Sequence, residues 1–368
     1  MHISENVSLR QYNSFGFDVQ AEYFCSATSI EQVREALEWR RRNNKALLVL
    51  GGGSNTVFTR NVSALVLQIA IDDLTIGSNS AENLPTEKLV SKHPTTDNMG
   101  SNAENPSTTV VTAGAGCNWH ELVEKTVFSG SYGLENLALI PGNAGAAPIQ
   151  NIGAYGKELC DNLISVSVLH QHTGETAVLR HQECEFAYRH SIFKTTAGRD
   201  WIVTGITLEL SRDDKPIVTY QALADAMTDA KADAKDNTEP TAENVFHHVC
   251  SLRRSKLPDP NIIGNAGSFF KNPLVTCQQV DTLLKQYPNL PVYPHSNDYR
   301  KLPAAWLIDQ AGWKGHRCGP VGVHDRQALV LVHFGAGNGQ QIATLADEIC
   351  LDIKSRFNID LEREPQIY

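Results

Sequence analysis

The side chains of this 368-residue chain that could do chemistry gather in a few short passages. In 264-GNAGSFFKNP-273, the Ser268 hydroxyl stands between backbone-permissive residues and two phenylalanines. A serine there suits a turn or a helix N-cap, and it equally suits a hydroxyl brought close to a ligand. Just upstream, Arg253, Arg254, Ser255 and Lys256 concentrate positive charge in a chain whose net charge is −9. A local cationic cluster of that size fits a small anionic ligand better than a nucleic-acid backbone, which requires an extended basic face.

Three glycine-rich passages add a second chemistry. They are Gly51-Gly52-Gly53-Ser54-Asn55, Gly114-Ala115-Gly116, and 141-PGNAGAAPIQNIGAYG-156. Glycine lets main-chain N–H groups approach a phosphate and take up positive φ. Each passage alone reads as a tight turn; three together argue for one large phosphate-bearing ligand lying across them. Neither of the first two is a standard nucleotide loop. No Lys-Ser/Thr follows the first, and Trp119 stands where the dinucleotide fingerprint needs a third glycine.

Other residue types exclude other chemistry. The eight cysteines (25, 117, 160, 184, 250, 277, 318 and 350) are scattered singly, without a C-x-x-C pair or zinc spacing. Nearly all of them are expected to be small buried hydrophobes, with no disulfide framework and no metal. His247, His248 and His324 likewise lack ligand spacing. With 41% apolar and 20% charged residues, the composition is that of a soluble globular protein of two or three domains. No segment nears the ~18 apolar residues of a membrane span, and the first residues lack the pattern of a secretory signal. The expected compartment is the cytoplasm.

The elements that must position these residues follow from periodicity. A helix is predicted over 30–45 behind an N-cap at Thr28 or Ser29, with Arg40, Arg41 and Arg42 as its solvated end. A buried strand over 46–50 leads into the first glycine passage. A strand over 108–113 leads into the second, and a helix over 119–127 follows. Strands are predicted over 164–170, 176–180 and 201–210, the last alternating between faces. Later come helices over 245–255, 274–286, 304–311 and 339–356, a strand over 328–333, and 264–273 as a loop. Residues 75–107 and 227–244 are polar, have little to bury, and read as surface insertions. Mixed elements with late helices predict an α+β architecture and not a doubly wound parallel sheet.

In chain order the motifs are VLGGGSN (49–55), GAGCNWHELV (114–123), GLENLALIPGNAGAAPIQNIGAYG (133–156), FAYRHSIFK (186–194), SKLPDPNIIGNAGSFFKNP (255–273) and LERE (361–364). Together they closely resemble the UDP-N-acetylenolpyruvoylglucosamine reductase (MurB) family, in its longer form with a substrate-side tyrosine. The resemblance spans the chain outside the two polar stretches. It implies a vanillyl-alcohol-oxidase-type FAD-binding fold of two α+β subdomains, residues 1–70 and 71–212 with about 357–368, plus a separate α+β substrate domain, 213–356. It also implies FAD and NADPH as cofactors, UDP-N-acetylglucosamine enolpyruvate as the small-molecule substrate, and a monomer with no nucleic-acid or membrane partner.

By the same resemblance, Gly51, Gly52, Gly53, Ser54, Asn55, Gly114 and Gly116 lie against the FAD pyrophosphate. Pro141, Gly142, Ile149, Gln150, Gly153 and Tyr155 surround its ring system. Arg189 clamps the substrate carboxylate, as paired guanidinium donors suit. Ser268 delivers a proton to carbon, and Phe269 and Phe270 exclude water. Glu364 is the second electrostatic partner, a role that needs a carboxyl kept protonated by burial; Glu362 is its solvent-facing neighbour. Pro365 stands where the family usually carries valine. Tyr188, Tyr220, Lys256, Asn272 and Gln327 are the implied substrate contacts, with Lys314 and Arg253 as further candidates. The alternatives are another FAD oxidoreductase of the same fold, or a nucleotide-binding protein without catalysis.

Overall fold

The structure, a computed structural model, describes residues 1–78, 107–234 and 239–368. Most of the first polar stretch (79–106) and residues 235–238 of the second therefore lie outside the described residues. The chain divides into two compact units. The first comprises Met1–Glu5, Tyr23–Gly52 and Ala64–Arg253; the second comprises Asn6–Glu22, Gly53–Ser63 and Arg254–Tyr368.

In the first unit, helix α1 (Ile30–Arg42) follows the strand Gln20–Ala27, and its N-cap is Ser29, whose hydroxyl accepts from the Gln32 amide. Buried Val33, Ala36 and Leu37 form its inner face, and the three arginines lie in its last turn. The strand Leu47–Leu50 pairs in parallel with the 65–68 segment. It is less buried than its apolar run predicts, because it is the edge strand of its sheet and leaves Val49 39% exposed.

The larger sheet has five strands in the order Thr176–Arg180, Leu163–His170, Trp201–Ser211, Thr108–Gly114 and Leu74–Ser78. Every neighbouring pair is antiparallel. The central strand, expected to alternate, is buried from Ile202 to Leu208 because both of its faces are covered. At the start of the first polar stretch, Thr75 to Ser78 pair with the 109–112 segment as part of the sheet's edge strand.

Helix α2 (Trp119–Phe128) is capped by Asn118 and buries Trp119, Leu122, Val123 and Val127. Helix α3 (Gln221–Ala234) runs into the second polar stretch. Its run of alanines and charged residues carries high helix propensity even with little to bury. Helix α4 (Ala242–Lys256) buries Val245, Phe246, Val249 and Cys250.

In the second unit, an antiparallel sheet runs Gly264–Ser268, Val330–His333, Val321–Val323, Arg317–Cys318. Residues 264–268, expected in a loop, are thus a strand, with a register shift between Asn265 and Ser268. Helix α5 (Cys277–Gln286) starts three residues later than predicted, because Leu274–Thr276 pairs with the 299–301 segment. Helix α6 (Ala304–Gln310) is short, and α7 (Gly339–Phe357) carries a capping box on Asn338. Near the C-terminus, Gln366 and Ile367 pair in parallel with Thr56 and Val57. Pro365 lies just before that ladder, where its missing N–H costs nothing.

The core of this unit is aromatic. Phe15 stacks on Phe17 at 5.2 Å and meets Phe269 edge-on at 6.5 Å, while Phe269 meets Phe270 at 5.4 Å. Four cysteines (25, 117, 184 and 250) are buried, fewer than expected: 160, 277 and 350 are half-buried and Cys318 is exposed. All eight are free thiols.

Candidate functional site

In the first unit the three glycine passages meet. A Cβ on Gly52 would lie 2.8 Å from Asn143 Oδ1 and 3.2 Å from the Gly142 Cα, and one on Gly145 would lie 2.4 Å from the Ala115 Cβ. The Trp119 amide donates to the Gly142 carbonyl at 3.0 Å, Ala144 to Cys117 at 2.8 Å and Gly145 to Ala115 at 2.9 Å. These glycines are close-packed backbone, with no room for side chains.

Their amides divide into two kinds. Those of Gly114, Ala115 and Gly116 are already taken by the carbonyls of Asp73, Thr204 and Ile71. Among the described residues, no protein acceptor takes the amide hydrogens of Gly51, Gly52 or Gly142. The second passage therefore supplies close approach, while the first and third supply donors. A diphosphate fits such a cradle: it needs uncommitted N–H groups and walls without Cβ atoms.

Nearby in the chain, Gly153–Ala154 and Lys157–Glu158 form a hairpin. Arg189 reaches it: Nη2 donates to the Gly153 carbonyl at 2.6 Å and Nη1 to the Asn151 carbonyl at 3.3 Å. Tyr188 and Arg189 form the tip of a tight turn closed by mutual Ala187–His190 main-chain bonds. The half-buried guanidinium also lies 5.3 Å from the Tyr188 ring. Tyr155 meets Tyr220 edge-on at 5.3 Å. Burial raises the Tyr155 phenol above its ordinary pKa, an effect that the Arg253 charge partly offsets. Arg253 Nε donates to the Leu139 carbonyl at 3.2 Å. Thus Gly153, Tyr155, Tyr188, Arg189, Tyr220 and Arg253 are held by one network of segments.

In the second unit, Ser268 is half-buried, and among the described residues its hydroxyl has no hydrogen-bond partner. The backbone around it is prepared by Asn265, which is 3% exposed. Asn265 Oδ1 accepts from the Gly267 amide at 2.9 Å, and Gly267 takes φ +67°. That left-handed turn is open to glycine at low cost, and it leads into half-buried Ser268 and then into Phe269 and Phe270, which are sunk in the core. The two phenylalanines anchor the strand from below; they are core residues, at most 1% exposed.

Glu364 is half-buried, and its amide donates to the Phe269 carbonyl at 2.9 Å, which places the two carbon-reduction candidates on paired segments. Asn55 Nδ2 donates to the Glu364 carbonyl at 3.2 Å, while the Gln366 amide donates to the Asn55 carbonyl. A Cβ on Gly53 would strike the Tyr12 carbonyl at 1.9 Å, so this end of the first glycine passage is fitted to the 12–14 segment. Exposed Glu362 pairs with Lys271.

The proposed substrate contacts of this unit are partly committed elsewhere. Asn272 Oδ1 accepts from the Ala304 amide at 2.9 Å, at the start of α6. Lys314 pairs with Asp309 at 2.8 Å. Exposed Lys256 ends α4, and Arg326, beside Gln327, donates to the Ser255 carbonyl at 3.1 Å, which brings those two neighbourhoods together. Two organising residues escaped the sequence reading, Asn151 and Asn265. Both lie inside quoted motifs, but nothing local distinguishes a buried asparagine hub from a loop asparagine.

Comparison with known proteins agrees along the whole chain. A family model described as the C-terminal domain of UDP-N-acetylenolpyruvoylglucosamine reductase matches residues 259–368, and one described as an FAD binding domain matches residues 96–180. The chain is 42% identical to the UDP-N-acetylenolpyruvoylglucosamine reductase of Pseudomonas putida, over 99% of this chain and 98% of that protein. It is 44% identical to that of Cupriavidus pinatubonensis, over 98% and 97%. The crystal structure of the MurB reductase from Thermus caldophilus aligns with a TM-score of 0.62 at 22% identity, covering 100% of this chain and 99% of that one. That structural likeness is one of fold.

Proposed function

The chain belongs to the UDP-N-acetylenolpyruvoylglucosamine reductase family, and we propose that Ser268, Arg189 and Glu364 carry its reaction. It is an FAD-containing oxidoreductase that uses NADPH to reduce UDP-N-acetylglucosamine enolpyruvate to UDP-N-acetylmuramate. The observation that carries this assignment is the end-to-end identity with the P. putida enzyme. When bound, FAD supplies the hydride that adds to one carbon of the enol ether.

The chain's own residues do the rest. Gly51, Gly52 and Gly142 offer main-chain donors to the diphosphate, and Gly53, Ser54, Asn55, Gly114, Gly116 and Pro141 shape its walls. Ile149, Gln150, Gly153 and Tyr155 border the ring system. Arg189 grips the substrate carboxylate; its Nη1 and Nη2 donate to the Asn151 and Gly153 carbonyls, which fixes the plane of the guanidinium. Fixed positive charge there stabilises the enolate-like charge that develops as hydride adds. Ser268 Oγ gives its proton to the adjacent carbon, and Glu364, on the paired segment, hydrogen-bonds to the charge left behind. Tyr188, Tyr220, Lys256, Asn272 and Gln327 hold the UDP-sugar. We place the reaction in the cytoplasm, one chain per catalytic centre, as a step feeding cell-wall synthesis and through it cell shape and division.

An anaerobic two-step experiment tests this reading. NADPH should bleach the flavin absorbance of the purified protein, and the enolpyruvyl sugar nucleotide, added after excess NADPH is removed, should restore it with stoichiometric product. Flavin that stays reduced after substrate is added would refute the assignment.

A further inference from the structure

Asn151 is 0% exposed and joins two segments that the reaction must hold in register. Its Nδ2 donates to Glu158 Oε2 at 2.8 Å and to the Ala187 carbonyl at 3.3 Å, while its Oδ1 accepts from the Cys160 amide at 3.1 Å. Its own carbonyl accepts from Arg189 Nη1 at 3.3 Å. One residue thus holds the backbone of the 187–190 turn through its side chain and the guanidinium through its main chain. Ser191 Oγ, donating to the Ile149 carbonyl at 2.7 Å, ties the same turn to the same segment.

The backbone shows why such a hub is needed. Arg189 sits at φ +51° and Asn151 at φ +45°. A left-handed conformation is unfavourable for a residue such as arginine, and it persists only where the surroundings over-determine it. Asparagine tolerates the same region, and its amide offers donors and an acceptor together. The network also fixes which way that amide faces, since two acceptors lie on one side and a main-chain N–H on the other.

We propose that Asn151 is a positioning residue: it locks the Tyr188-Arg189 turn to the 149–153 segment and so fixes the guanidinium that grips the substrate carboxylate. This rests on the reading of Arg189 given above. Asn151 touches no reacting atom in this scheme; it acts through Arg189.

The test separates the two half-reactions in Asn151→Ser and Asn151→Asp. Asp keeps the acceptor for the Cys160 amide and removes both donors. FAD content and the rate of flavin reduction by NADPH are expected to stay within about twofold of the parent. Reoxidation by the enolpyruvyl sugar nucleotide is expected to slow about tenfold to a hundredfold, with a raised KM for that substrate and an unchanged KM for NADPH. In an Arg189→Ala background, Asn151→Ser should cost nothing further. Equal losses in both half-reactions, additive losses in the double variant, or flavin lost from both Asn151 variants but kept by Arg189→Ala would each overturn the inference. Arg189→Ala reoxidising at the parent rate would overturn the reading of Arg189 itself and this inference with it, a separate failure visible in that single variant.

Discussion

A serine hydroxyl is a weak acid, and Ser268 is matched to its proposed role by position and not by composition. It follows a left-handed glycine and precedes two buried rings, so the backbone presents it while the core fixes the strand. Replacing it with alanine removes a proton donor and little packing. Ser268→Ala is therefore expected to keep NADPH-driven flavin reduction and to lose about 10²- to 10⁴-fold in reoxidation by substrate, measured by stopped-flow absorbance. A different single-residue effect belongs to Glu135, which is 3% exposed and accepts from the Gly133 amide at 2.7 Å. Burial raises its pKa, against those hydrogen bonds and the Lys157 charge. The folded chain thus holds this proton more tightly than the unfolded chain does. The contribution to stability is full below the ordinary carboxyl value and is lost as pH rises through the raised one. Glu135→Gln keeps an acceptor and has no proton to lose. Its melting temperature should decline less than the parent's between about pH 5 and about pH 8; parallel declines would refute the assignment.

At the scale of elements, the glycine passages work by interlocking. Gly145 sits where a Cβ would meet the Ala115 Cβ at 2.4 Å and its Cα at 2.9 Å, whereas nothing lies within 4 Å of a Cβ on Gly77. Gly145→Ala must push the second and third passages apart, at a cost of about 1–3 kcal/mol, and should lower both melting temperature and bound FAD. Gly77→Ala, on the edge strand, should leave both unchanged; equal flavin loss in the two variants would contradict the nested-loop argument. Helix ends matter in the same local way. Asn338 caps α7 with its side chain on the Gln341 amide at 3.1 Å, and Gln341 Oε1 returns a bond from the Asn338 amide at 3.0 Å. Asn338→Ala is expected to cost about 1 kcal/mol without changing either half-reaction, read by chemical denaturation and by rate.

For the whole molecule, a cofactor held by main-chain donors couples binding to folding. With Gly51, Gly52 and Gly142 as the proposed donors, FAD should stabilise the folded chain by mass action. The expected gain is about 2.7 kcal/mol at a hundredfold excess over Kd. Thermal melts of flavin-stripped protein at rising FAD concentrations check this; a melting temperature indifferent to FAD would argue against the cradle. The chain's net charge of −9 is no obstacle to an anionic substrate, because the cations that matter are local.

The amino-acid order alone determined the helices other than α3, several strands such as Leu163–His170 and Trp201–Ser211, the glycine passages and, through ordered motifs, the family. These rest on short-range patterns: apolar spacing, caps such as Ser29, and glycine runs. Register and partnership were decided only by tertiary contacts. Residues 12–17 carry no motif, yet Phe15 and Phe17 form the aromatic bed against Phe269, the residue after Ser268. Gly114 and Gly116 looked like phosphate donors, but their amides are taken by carbonyls some 40 positions away in sequence. Asn151 became a hub only when Ala187 and Arg189 were folded against it. A side chain's chemistry is written in its type, but which of its hydrogen bonds remain for a ligand depends on what long-range packing has already claimed.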